Sequence, residues 1–299
     1  MIVLIPSFLL IFLGAVLQRG KVFSQEFWSE TERATYYVFF PALLTTSLAT
    51  ANFRDYPSLP LAGAVITGVI CVACLSLLLQ RVGAMDGPAF SSVFQGAMRP
   101  NSYIGVATAM ALAGGEGVTL CAIAMMVTIP LVNLLCVPVV AHFGSRDSSL
   151  ASTVWEIAKN PLILSCALGV GINVGGVPLP QPVFEAVNQL GKASMPLGLL
   201  TVGAGLRFSG LHAKITPLLL SSLLKLFLLP LFTALACLLY QAPPLPTLIA
   251  VQYAALPASA SSYILARQLG GDEALMAAII TTQTILAALT LPFIASIFA

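Results

Sequence analysis

The segment Met98-Arg-Pro-Asn-Ser-Tyr-Ile-Gly105, "MRPNSYIG", interrupts a run of apolar and small residues that is otherwise long enough to cross a bilayer. A second interruption, "ALPASASSY" at 255–263, stands in the later half of the chain. Proline has no backbone N–H and disfavours helix in the residue before it. Each run is therefore expected to break into two half-helices around Pro100 and Pro257. The freed backbone groups are tolerable at membrane depth only where protein or water surrounds them.

The rest of the composition fits that reading. The chain has 299 residues, 58% hydrophobic and only 8% charged, with a mean hydropathy of +0.97. A soluble domain carries roughly 25% charged residues. The apolar runs have helical rather than strand length, since a helix needs about 20 residues to span and a barrel strand about 10. The expected class is an all-α membrane protein with ten transmembrane helices. They lie near 1–18, 31–50, 58–80, 88–113, 117–141, 154–174, 183–206, 214–240, 245–268 and 274–298. The first run carries Arg19 and Lys21 after its apolar core, the reverse of a cleaved signal peptide, and reads as a retained span. A net charge of +2 without a basic tract gives no reason to expect a nucleic-acid partner. The six cysteines lie in apolar runs and "CVAC" at 71–74 has no second pair, so no metal site or cofactor is expected.

The chain also repeats itself. A shift of 155 aligns residues 6–53 with 161–208 without a gap, giving 12 identities in 48 pairs, Pro6 with Pro161 and Pro41 with Pro196 among them. A shift of 157 aligns Gln95 with Gln252, Pro100 with Pro257 and Ser102 with Ser259, for 8 identities in 22 pairs. An internal duplication of five spans follows, with 1–141 as the first repeat, 142–153 as a connecting loop and 154–299 as the second repeat. Because five is odd, the second copy enters the membrane inverted, the arrangement of many secondary transporters. Arg19, Lys21, Arg33, Arg81, Arg146, Arg207, Lys214 and Arg267 flank one set of loops and Arg54 the other. The positive-inside rule then places both termini outside and the 142–153 loop in the cytoplasm.

Embedded charge points to the ligand. The acidic residues lie in loops or near span ends, whereas Arg99 and Lys225 are deep and Lys192 shallower. A charge within a membrane span is costly and marks function, and cations without an embedded acid call for an anionic ligand. Half-helix N-termini favour anions as well. The expected substrate site is Arg99, Pro100, Asn101, Ser102, Tyr103, Asn133, Lys225, Pro257, Ser259, Ser261 and Gln283. With no embedded acid and both histidines at span ends, catalysis is not expected.

The stretches "RPNSYIGVATAMALAGGEG" (99–117), "NPLILSCALGVGINVGGVPLP" (160–180), "LGKASMPLGLLTVGAGL" (190–206) and "ALPASASSYILARQLGGD" (255–272) resemble the auxin efflux carrier family, in its bacterial permease branch. The resemblance runs over essentially the whole chain. It implies broken crossover helices 4 and 9, a scaffold of helices 1, 2, 6 and 7 that forms a homodimer, and an elevator-like transport domain of helices 3–5 and 8–10. It further implies a bacterial inner-membrane carrier of a small organic anion, with Asn101, Pro257 and Lys225 at the family's crossover and lysine positions. Plant members carry a proline shortly after the crossover glycine, where this chain has Gly105-Val-Ala107, and the long cytoplasmic loop is missing. Malate, malonate or lactate are then more natural substrates than auxin. The competing readings are a sodium-coupled carrier of the bile-acid type and a non-transporting membrane sensor.

Overall fold

Short polar caps and prolines set where the helices start. Ser24, Asp86, Asn101, Asn160 and Asp272 each accept a hydrogen bond from a backbone N–H two or three residues on, the role that suits Ser, Asp and Asn at a helix N-cap. In the computed structural model these caps organise an all-helical chain, described for residues 2–51, 58–83, 85–144, 154–155, 158–207 and 214–298. Arg54, Arg146, His212 and most of the 142–153 loop lie outside the described residues.

The helices are α1 (Ile5–Arg19), α2 (Gln25–Ala34) and α3 (Phe40–Ala49), the last two joined by a π-helical turn at Thr35–Phe39. Then come α4 (Ser58–Val82), α5 (Gly87–Met98) and α6 (Ser102–Phe143). The second half has α7 (Pro161–Val174), α8 (Gln181–Ala204) and α9 (Ile215–Leu223), with a π-helical turn at Leu224–Leu228 leading into α10 (Leu229–Leu239). It closes with α11 (Pro244–Ala254), α12 (Ser261–Leu269) and α13 (Glu273–Phe298). Among the described residues four helices, Ser58–Arg81, Ser102–Phe143, Ile215–Leu239 and Glu273–Phe298, are each long and apolar enough to cross a membrane.

The 42 residues of α6 do not form one rod. Ala113 and Gly114 leave helical geometry, Gly114 with φ +57°, a left-handed conformation that glycine adopts at little cost. A Cβ on Gly117 would collide with the carbonyl of Ala109, although eight residues of straight helix would separate the two by roughly 12 Å. The chain therefore folds back at Gly114, matching the expected boundary between spans at 113–117.

Two packing groups result. In one, α1 lies along α8, and α3 lies against α7 and α8. The α1–α8 contact is so close that a side chain at Gly203 would run into the backbone of Ile11. In the other, α4, α5, α6 and α9–α13 surround a core that includes Val69, Phe90, Phe94, Met98, Leu224 and Met276. The two limbs of α6 connect the groups through contacts with α3, α7 and α8.

Candidate functional site

Both interruptions break their helices where the prolines require it. Helix α5 stops at Met98 and α6 starts at Ser102; α11 stops at Ala254 and α12 starts at Ser261. The two extended stretches pair antiparallel, Pro100 opposite Ala258. Asn101 N–H donates to Pro257 O at 2.9 Å and Ser259 N–H to Arg99 O at 3.1 Å. These bonds answer the question that any broken membrane helix poses, namely where its backbone groups find partners.

Side chains satisfy most of what remains. The Asn101 Oδ1 accepts from the N–H groups of Tyr103 and Ile104 at 3.1 and 3.3 Å, capping α6. The Gln283 Oε1 accepts from Ala258 N–H at 2.9 Å, while its Nε2 reaches Gly96 O at 3.2 Å and Ser221 Oγ at 3.3 Å. Lys225 Nζ donates to Met98 O at 3.2 Å, at the carbonyl end of α5. Gln283 and Lys225 are 0% and 1% exposed. They stand on a buried, sealed side of the crossing, bound mainly to backbone, and Lys225 there lines a small cavity with Met98, Pro100 and Thr128.

The opposite side is open. Arg99 is half-buried, with Nη1 donating to Asn133 Oδ1 at 2.8 Å and Nη2 to the exposed Ser261 Oγ at 3.2 Å. Its Nε is buried and makes no hydrogen bond. Ser259 and Ser261 share a hydrogen bond at 3.0 Å beside it. Among the described residues neither Arg99 nor Lys225 forms an ion pair. Tyr103 stacks edge-on against Phe40 of α3 at 5.1 Å and presses on α8 at Gly198, where a side chain would strike its ring.

The expected residues are therefore divided. Arg99, Asn133, Ser259 and Ser261 cluster at the open face, and Asn101, Pro100 and Pro257 build the crossing. Ser102 and Tyr103 start α6, and Lys225 and Gln283 close the far side. Lys192 lies apart, exposed halfway along α8.

Three neighbours had no sequence signal. The hydroxyl of Tyr36, in the π-helical turn, pairs with the side chain of Asn160 and feels the charge of Arg99. The buried thiol of Cys136 is within hydrogen-bonding reach of the Arg99 guanidinium and within electrostatic reach of Lys225. Glu32, near the end of α2, is close enough to act on Tyr103. Asn160 stood in the sequence only as the first residue of the stretch 160–180, and Glu32 and Tyr36 only as residues near the start of the span at 31–50.

The whole chain has recognisable relatives. Residues 1–295 match a family described as Membrane transport protein. An uncharacterized transporter of Methanothermobacter thermautotrophicus is 25% identical over 290 residues, covering 95% of this chain and 93% of that protein. With an all-helical fold, apolar helices of spanning length and a match over nearly its full length, the chain belongs to this membrane transport family, that of the auxin efflux carriers.

Proposed function

We propose that this protein is a secondary active transporter of a small organic anion, a mono- or dicarboxylate or an auxin-like weak acid. The observation that carries the reading is Arg99. It is held at the open face of the crossing by the neutral acceptors Asn133 and Ser261, with the Cys136 thiol beside it and no carboxylate paired to it among the described residues. A guanidinium is always charged and its fork of donors matches a carboxylate. Exchanging Asn133 and Ser261 for a carboxylate turns neutral hydrogen bonds into charge-assisted ones. The N-terminus of α12, with the hydroxyls of Ser259 and Ser261, adds donors for the same anion.

In this reading the ten helices form two inverted five-helix repeats. The group α1–α3, α7 and α8 is a scaffold, and α4–α6 with α9–α13 carry the site past it in an elevator-like step. The scaffold is also the homodimer surface: α1 and α7 expose Leu9, Phe12, Leu164 and Leu168, and Lys192 sits on the exposed side of α8. The membrane is the bacterial inner membrane, with both termini outside. Lys225 adds positive charge from behind, through the α5 terminus that it caps.

The test is a thermal-shift screen of the purified protein against acetate, lactate, malate, malonate and indole-3-acetate, followed by flux in proteoliposomes. Stabilisation and uptake by at least one carboxylate, absent with matched neutral amides, is the expected result. A neutral solute that binds and moves equally well would overturn the anion reading.

A further inference from the structure

The two packing groups are joined very differently at the two ends where their helices hand over. After α3 the carbonyls of Ala49 and Ala51 are held by Asn173 Nδ2 of α7 at 3.0 and 2.7 Å. That contact stays within one group. After α8 the chain is instead clasped by the other group. Arg207 N–H donates to Thr281 Oγ1 of α13 at 3.0 Å, and the Thr281 hydroxyl stands 3.0 Å from Arg207 O in return, with Ala277 O as its alternative acceptor. Arg207 Nη1 donates to Tyr263 OH of α12 at 2.9 Å, and the guanidinium lies 4.5 Å from the centre of that ring.

Depth adds to the contrast. Tyr263 lies six residues before the end of α12 at Leu269 and Thr281 eight residues into α13, so both contacts are roughly 9–12 Å in from the helix ends at 1.5 Å per residue. The end of α8 is therefore recessed against the flank of the site-bearing group. Tyr263 is also two residues from Ser261, which holds Arg99, so the clasp grips the half-helix that forms the site.

We infer that Arg207, with Tyr263 and Thr281, is a conformational lock that holds the site-bearing group in this one end state. The inference rests on the elevator reading above. Hydrogen bonds of 3 Å do not survive a slide of several ångströms, so the clasp opens when the group moves to its other position. Its three contacts favour the present state only, and a ligand or a mutation shifts the balance by the difference it makes between the two states. Arg207 is exposed, so its loss leaves no buried charge or cavity behind.

The experiment is a spin-label distance measurement across the two groups in the full chain, in lipid nanodiscs. Labels go on Leu190 of α8 and Leu289 of α13, both exposed, with Cys71 and Cys74, the two cysteines that are not fully buried, changed to serine. The unmutated lock should give one dominant distance. Arg207→Ala should raise a second distance by about tenfold relative to it, as expected for losing a hydrogen bond from a charged group. Tyr263→Phe, which keeps the ring, should raise it less. If lactate or malonate produces two distances but Arg207→Ala leaves their ratio unchanged, the lock is wrong and the elevator stands. If one distance persists in every variant and with every carboxylate, there is no second state to lock, and both readings fall.

Discussion

The two proline breaks share a backbone plan and differ in chemistry. Around Pro100 the chain places Arg99, Asn101 and Tyr103; around Pro257 it places alanines and serines. The first break caps its following helix with Asn101, whereas α12 begins without a side-chain bond at its N-cap, Ala260. The carbonyl end of α5 is met by Lys225 and Gln283, both contributed by the second half of the chain. One break supplies charge and capping, the other supplies small residues that let the first approach. Two proline-broken helices can thus share a crossing while a few residues beside each proline decide which side of it is charged.

Substitutions at Arg99 and Lys225 test that division most strongly. Arg99→Gln should weaken carboxylate binding about ten- to a hundredfold, since a hydrogen bond to a charged group contributes about 1.5–3 kcal/mol. Lys225→Gln, on the sealed side, should reduce flux while leaving affinity within a few-fold. Calorimetric titration and proteoliposome flux on the same variants check both. Equal losses of affinity would erase the distinction between the open and sealed sides.

Gln283→Leu comes next. It leaves Ala258 N–H buried without its acceptor, which costs about 1–3 kcal/mol. The melting temperature should fall by several degrees, more than for Ser261→Ala at the open face. A Gln283→Leu protein that melts like the parent would mean that the crossing finds other partners.

Asn101→Ala removes the cap of α6, worth about 1 kcal/mol, so a small loss of stability should accompany loss of carboxylate binding as the start of α6 frays. Unchanged affinity, measured by the same titration, would separate the crossing from the site.

The smallest effect belongs to the surface cluster at the starts of α5, α9 and α13, where Lys214 lies 3.1 Å from Asp86 and 2.9 Å from Asp272. The Ala89 N–H and then Lys214 hold the Asp86 carboxyl below its usual 3.8. Asp272 and then Asp86 raise Lys214 above 10.5. The carboxylate contribution is present above pH 3.8 and fades as pH falls through the lowered value; the ammonium contribution is present below pH 10.5 and fades as pH rises through the raised one. Exposed pairs contribute about 0–1 kcal/mol. Lys214→Ala should therefore lower the melting temperature by at most about 4 °C near neutral pH, and the difference should vanish in acid. A difference that persists well below pH 3.8 would show that packing, not charge, is responsible.

Much of this protein was legible without its structure, for identifiable reasons. Hydropathy and length determine that the chain is helical and membrane-embedded, because a bilayer imposes one span length on any helix. Proline chemistry determines the breaks at 98–102 and 255–260, because a missing N–H acts locally. What only the tertiary structure decided is which polar residues meet. Asn133 and Ser261 reach Arg99 across 34 and 162 residues, Gln283 is taken up by backbone, and Lys225 faces the sealed side. Tyr36, Asn160 and Cys136 join the neighbourhood with no motif to mark them. A span assignment gives depth but not the direction in which a side chain points, and direction depends on helix rotation and packing against neighbours. Backbone constraints are written in the local sequence; the partnerships of buried side chains are settled only when the helices have closed around them.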